Sequence, residues 1–342
     1  MAIFVPKRVL FEQQALDYPL GKELYERFQS AGVPVSMISS HNRVTGVPGR
    51  TPAEAYREAK ATLVVGVRRT LKLQTCKPSA HFQLPLVTSC PGMCEYCYLQ
   101  TTLGRRPYIR VYVNLDEILA AAQREIEARA PAVTVFEGAA TSDPLPVERY
   151  TGALARTIGF FGRNQLGRFR FVTKFTDVDS LLNANHNGHT RFRFSLNTDR
   201  VIRTYEHATP TARERVAAAA RVTGAGYPIG FLIAPIFLDG DWRGEYGALL
   251  DDLHAALPGR AAGEDITFEL IAHRFTARAK ANIRAVFPSS TLPLDEGERR
   301  FKFGQFGYGK YVYPEERIRE AKEFFLEAIA ARFPGGRVEY FV

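Results

Sequence analysis

Cysteine is scarce in this chain of 342 residues: there are 4, at Cys76, Cys90, Cys94 and Cys97. A secreted disulfide framework spreads its cysteines along a short chain, so that class is excluded. Long hydrophobic runs are missing too, and none approaches the roughly 18–20 apolar residues a membrane helix needs. The opening residues, MAIFVPKRVLFEQQ, lack the apolar stretch and small-residue cleavage site of a secretory signal. These absences predict a cytoplasmic protein with no membrane segment. Low-complexity tracts and long linkers are also absent, and an apolar fraction of 46% with 24% charged residues excludes a disordered chain. Acid is in deficit: 36 Asp and Glu against 45 Lys and Arg leave a net charge of +9. That excess favours a polyanionic partner such as nucleic acid, and a generally basic surface would look the same.

The organisation is legible from residue patterns. Residues 1–83 are mixed, with helices predicted over Gly21–Ser30 and Pro52–Lys60 and a strand over Ala61–Val67, and form an N-terminal α/β extension. From residue 84 a strand–helix rhythm sets in. Strands are predicted at Leu84–Thr88, Ala132–Ala140, Arg168–Phe175, Thr190–Thr198, Pro228–Phe237 and Asp265–Phe275. Helices are predicted between them, including one running to about Phe161 and a short one at Asp177–Asn183. Six such units imply right-handed crossovers and a parallel sheet. Ser142, Lys174, Ser195, Asn197 and His273 fall at the strands' C-terminal ends, where a barrel builds its active site. No G-x-G-x-x-G follows the first strand, which weighs against a dinucleotide-binding sheet. The expected fold is α/β, an open, partial (β/α)6 TIM-type barrel over residues 84–275. Residues 276–342 form a C-terminal extension with an aromatic, glycine-rich hairpin at 301–313, a helix at Glu315–Phe333 and a strand at Arg337–Phe341.

Cys90, Cys94 and Cys97 have the spacing C-x3-C-x2-C on the loop after the first expected barrel strand. Thiolates on one short loop suit an iron–sulfur cluster. Three ligands to a four-iron cubane leave one iron open to chelate a small molecule. Zinc is the alternative, although it usually takes four protein ligands in C-x2-C pairs. Three buried structural cysteines would be the bland reading.

The triplet, with Tyr96 before its last cysteine, resembles the signature of radical S-adenosylmethionine enzymes. Longer segments resemble spore photoproduct lyases in particular: CEYCYLQTTLGRRPYIRVYVNLD (Cys94–Asp116), SHNRVTGVPG, LVVGVRRTLK, RFVTKF, HNGHTRFRFSLN, GAGYPIGFLIAPI and GYGKYVY, in order along almost the whole chain. The resemblance implies a 4Fe-4S cluster on Cys90, Cys94 and Cys97. It implies S-adenosylmethionine held by Tyr96, Ser142, Lys174, Ser195, Asn197 and Ala234. The expected activity is a carbon–carbon lyase that returns the spore photoproduct, two thymines joined through a methylene bridge, to two thymines. UV-damaged DNA is then the partner, with an electron donor such as flavodoxin or ferredoxin, and the protein is expected to be a monomer. Tyr98, with Tyr96, would pass a hydrogen atom back toward the cofactor.

One departure bears on the chemistry. The family's segment E-A-A-C-T-S-D reads Glu137-Gly138-Ala139-Ala140-Thr141-Ser142-Asp143 here, so Ala140 stands where the hydrogen-donor cysteine belongs. A methyl C–H bond is too strong to donate, and the final hydrogen return is expected to be impaired unless another group, with Cys76 as a candidate, replaces it. For the lesion, Gln305, Phe306, Tyr308, Lys310 and Tyr311 on the hairpin are candidate contacts, with Arg68 and Arg105 for phosphates. Family members carry more polar residues near Gln305 and Phe306. A radical enzyme of the same line with another substrate, and a non-catalytic zinc or iron–sulfur nucleic-acid-binding protein, are the alternatives.

Overall fold

Strands buried on both faces have to be apolar along their length. Ile229–Ile236 (IGFLIAPI) meets that demand and sits inside a sheet, parallel to Thr190–Leu196 on one side and Thr267–Ala272 on the other. In the computed structural model, which describes residues 3–104, 106–257, 265–303 and 309–342, this strand belongs to the larger of two main sheets. Its order is Arg337–Phe341, Thr267–Ala272, Ile229–Ile236, Thr190–Leu196, Gly167–Thr173, Thr134–Glu137, Ala80–Gln83 and Thr75–Cys76. All neighbours are parallel except the last pair, and the sheet curls into an open half-barrel. The second sheet has five strands, ordered Val35–Ile38, Arg8–Glu12, Thr62–Gly66, Ile109–Tyr112 and Val87–Thr88. Val9, Phe11 and Leu63 of this sheet share one apolar core with Phe136, Phe169, Phe192 and Phe231 of the half-barrel.

Local chemistry sets the helix ends. Pro52 opens Pro52–Lys60 behind a Thr51–Glu54 capping box, in which each side chain takes the other residue's backbone N–H. Ala212–Gly224 begins the same way at Thr211 and Glu214. The helix expected after Pro144, running to about Phe161, is two helices, Leu145–Thr151 and Ala153–Gly162. Gly152 lies between them at φ 57°, the left-handed region where a side chain is disfavoured.

The half-barrel interior is not purely apolar. Arg193 is fully inside and pairs with Glu137 and, at 2.7 Å, with Glu269; Arg170 pairs with Glu269 and, at 3.1 Å, with Glu339. Tyr340 donates to Glu269 from the last strand. Isolated charges could not be buried at this depth; alternating cations and carboxylates can.

Several expected elements move. The first half-barrel strand is Ala80–Gln83, not Leu84–Thr88. Residues 84–88 instead carry the chain across to the other sheet, where Val87–Thr88 pairs antiparallel with Ile109–Tyr112. The short helix at 177–183 is a single 3-10 turn, Asp179–Leu181. Arg337–Phe341 extends the half-barrel, parallel to Thr267–Ala272. The other five strands lie where their patterns place them, shorter at most ends, although Gly167–Thr173 begins one residue earlier. Among the described residues no helix is long and apolar enough to cross a membrane.

Candidate active site

The cysteine loop is pinned at both ends. Ser89, at φ 66°, enters it with its N–H on the carbonyl of Thr141 (2.9 Å) and its hydroxyl on the carbonyl of Pro107 (2.8 Å). Buried Lys60 donates to the Cys90 carbonyl at 2.9 Å. Met93–Cys94 pairs antiparallel with Glu206–His207, and the Glu95 N–H reaches the Tyr205 carbonyl at 2.9 Å. Gln100 closes the loop with its amide on the carbonyls of Cys94 (3.2 Å) and Glu95 (2.9 Å).

All four cysteines are free thiols, with Cys94 buried and the others partly so. Burial pushes Cys90 up to about 11 and Cys94 higher still. The charge of Cys97 acts on both, and Tyr56, buried behind them, feels all three. Three free thiols on one short loop suit a cluster with one corner left open, whereas zinc usually takes four protein ligands.

Beside Cys94 lies a buried polar group that sequence reasoning missed. Glu206, fully buried, accepts from Lys174 Nζ (2.8 Å), from the Tyr96 hydroxyl and from Arg215 Nη2 (2.6 Å). Lys174 also donates to the Tyr96 oxygen at 3.0 Å. Burial alone would raise the Glu206 carboxyl; Lys174 and Arg215 hold it down at about 2. Ser142 brings a buried hydroxyl with no partner among the described residues to the same end of the sheet. A buried hydroxyl with no protein partner among the described residues fits a polar ligand such as the amino-acid end of S-adenosylmethionine. Next to it, Asp143 accepts from Thr173 (3.0 Å) and the Lys174 N–H (2.8 Å), locking the 140–144 turn to the neighbouring strand.

Ser195 and Asn197 were expected to face a ligand together. Ser195 is buried and its carbonyl takes Arg215 Nη1 at 3.0 Å. Asn197 lies one residue beyond the strand and its side chain is occupied by the Pro235 carbonyl (2.8 Å), the Tyr246 hydroxyl (3.0 Å) and the Thr198 N–H (3.0 Å). It ties down the Ala234–Pro235 end of strand Ile229–Ile236. Tyr98, 60% exposed, lays its hydroxyl on the Ala140 carbonyl at 2.5 Å. Cys76 sits on the edge strand Thr75–Cys76, two positions across the sheet from Thr134–Glu137, within electrostatic reach of Tyr98, Glu137 and Arg193.

The hairpin's base is fixed to the barrel mouth: Tyr311 exchanges backbone hydrogen bonds with Phe275 (3.1 and 2.7 Å) and stacks on its ring at 5.3 Å. Lys310 lies on the return strand. Gln305, Phe306, Tyr308 and Arg105 lie outside the described residues. Arg68 lays its Nε on the Thr70 carbonyl at 3.0 Å, with the guanidinium over the Tyr112 ring. Glu206 and Arg215 carry no spacing signal that would have marked them.

A family profile for spore photoproduct lyase matches residues 4–342. The chain belongs to the spore photoproduct lyase family. It is 49% identical over 336 residues to the spore photoproduct lyase of Clostridium acetobutylicum, covering 98% of each chain. It is 51% identical over 341 residues to that of a Geobacillus strain, covering 100% of each. A solved spore photoproduct lyase complexed with dinucleoside spore photoproduct superposes with a TM-score of 0.96 at 50% identity, over 99% of this chain and 100% of that one. A double mutant, in which alanine replaces a cysteine and cysteine replaces a serine, was solved with AdoMet and dinucleoside spore photoproduct bound; it superposes at 0.95 with 51% identity, over 99% and 100% of the two chains. Family membership makes this chain a DNA repair lyase that uses S-adenosylmethionine and acts on damaged DNA.

Proposed function

We propose that the protein reverts the spore photoproduct to two thymines by radical chemistry, with Cys76 in the part that Ala140 cannot play. Cys90, Cys94 and Cys97 hold a 4Fe-4S cluster. Cluster and S-adenosylmethionine together supply, on reduction by a donor such as flavodoxin or ferredoxin, a carbon radical able to take a hydrogen atom. Lys174 pairs with the ligand's carboxylate, and Ser142 and Ser195 offer polar contacts, while Asn197 shapes the wall at Ala234. Half-buried Tyr96 packs the ligand's near side, and the barrel excludes water from the reacting centre.

The substrate loses its C6 hydrogen, the methylene bridge breaks, and a methylene radical is left on one thymine. The Sγ–H bond of Cys76 then breaks as the new methyl C–H bond forms. The sulfur radical left on Cys76 takes the hydrogen of the Tyr98 hydroxyl, and the oxygen radical left on Tyr98 takes back the hydrogen first removed, which would return the unpaired electron to the carbon radical that the cofactors supply. Burial pushes the Cys76 thiol up to about 11, so at neutral pH it keeps the S–H bond that hydrogen-atom donation needs. The solved double mutant with its exchanged alanine and cysteine supports the same reading.

For the lesion, Lys310 and Tyr311 belong to a hairpin whose exposed Phe301 and Phe303 offer faces for bases opened from the stack. The observation that carries the proposal is the loop of three free thiols pinned beside Lys174, Tyr96 and Glu206 at the half-barrel mouth. The test is anaerobic reconstitution followed by S-adenosylmethionine. Broad absorbance near 400 nm and 5′-deoxyadenosine formation on reduction are expected; a colourless zinc protein with neither would end the proposal.

A further inference from the structure

We infer that Glu206 is a positioning residue that aims Lys174 at the ligand carboxylate and ties that lysine to the cysteine loop. The inference rests on the reading of Lys174 given above and goes beyond it. An ammonium carries three N–H bonds. Two of those of Lys174 are directed, one to Glu206 Oε1 at 2.8 Å and one to the Tyr96 oxygen at 3.0 Å, which leaves the third aimed by default. The Tyr96 hydroxyl is itself fixed, because it donates to the same Glu206 oxygen.

The other oxygen of Glu206 binds Arg215, which is fully buried and also reaches the carbonyls of Ser195 (3.0 Å) and Pro210 (3.0 Å) and the hydroxyl of Thr209 (2.9 Å). The backbone of Glu206 pairs with Cys94. One carboxylate thus joins three parts of the site: the thiol loop, the lysine that ends strand Gly167–Thr173, and the strand that carries Ser195. Among the described residues no other carboxylate pairs with Lys174 Nζ. Without the charge of Glu206, a flexible four-carbon stem would hold the ammonium among several rotamers, and ordering it would cost binding free energy.

The discriminating experiment compares S-adenosylmethionine with decarboxylated S-adenosylmethionine, which keeps the amine and the sulfonium but lacks the carboxylate. Both are titrated into reconstituted wild-type protein and Glu206→Gln, with iron content and thermal melting measured alongside. Glu206→Gln is expected to weaken S-adenosylmethionine about tenfold or more and the decarboxylated compound less than about twofold. Equal loss for both compounds, or none for either, overturns the inference. Should Glu206→Gln fail to fold, because Arg215 is left buried and unpaired, Glu206→Asp keeps the charge but withdraws the oxygens by one methylene. It must then weaken S-adenosylmethionine selectively, and wild-type affinity in that variant also overturns the inference. A wild-type protein that binds neither compound contradicts the earlier reading of Lys174 itself, a different outcome from an indifferent Glu206.

Discussion

The hydroxyl of Tyr98 donates to the backbone carbonyl of Ala140 at 2.5 Å, so the phenol stays at the donor position although the side chain there is only a methyl group. Main-chain recognition makes this contact independent of residue type at 140. The proposed hydrogen path can therefore keep its tyrosine with the thiol at Cys76, on the edge strand two positions across the sheet from Thr134–Glu137.

The first prediction follows from that geometry. Cys76→Ala should still form 5′-deoxyadenosine on reduction with dinucleoside spore photoproduct, yet form thymidine at least about tenfold more slowly. Adding Ala140→Cys in the same chain should restore thymidine formation. Unchanged turnover in Cys76→Ala, read by chromatography of the nucleoside products, would remove Cys76 from the mechanism.

Arg193 is buried among Glu137 and Glu269. Replacing one partner of a buried ionic group leaves uncompensated charge and typically costs about 3–5 kcal/mol. Arg193→Met should lower stability by that order in chemical denaturation, without iron loss at low temperature. A midpoint equal to wild type would show that the carboxylates find other partners.

His273 gives a pH dependence. Burial, with Arg299 nearby, lowers its pKa from 6.5 to about 3. The folded-state value is the depressed one, so the stability concerned is present above pH 6.5 and is lost as pH falls toward 3, with a slope of about 1.4 kcal/mol per pH unit. His273→Gln should flatten the acid limb of the stability curve over that window. Parallel curves for the two proteins would show that the imidazole finds a proton in the folded state.

Much of this architecture was legible in the sequence because apolar periodicity is a local property. Thr190–Leu196 and Ile229–Ile236 could be placed from their own residues. Leu84–Thr88 could not. Leu84, Leu86 and Val87 are all buried, as in a strand, but which sheet they join depends on Ile109–Tyr112, some twenty residues on. The cysteine loop, Lys174 and Ser142 were marked by spacing or by position at strand ends. Glu206 and Arg215 were not, because their meaning arises only where separate elements meet, and a Glu-His pair after a short helix looks like surface. Asn197 had the right address, but its side chain is already taken by Pro235 and Tyr246.

The hairpin carries a prediction of its own. Phe303 is 74% exposed and packs edge-on against Phe301. Phe303→Ser should leave thermal stability within about 0.5 kcal/mol of wild type, as for other surface changes. It should weaken binding to a lesion-bearing duplex by about 1–3 kcal/mol, the scale of one base–aromatic stack. Fluorescence anisotropy with a labelled duplex reads the difference; equal affinity would assign the exposed rings to another task.

The account's central claim is tested most directly by incubating the anaerobically reconstituted, reduced protein, with Cys76 and Ala140 both in place, with S-adenosylmethionine and dinucleoside spore photoproduct, and quantifying free thymidine. Stoichiometric conversion to thymidine over several turnovers is the predicted result. Formation of 5′-deoxyadenosine with no thymidine, or with only adducts of the stalled substrate radical, would contradict it.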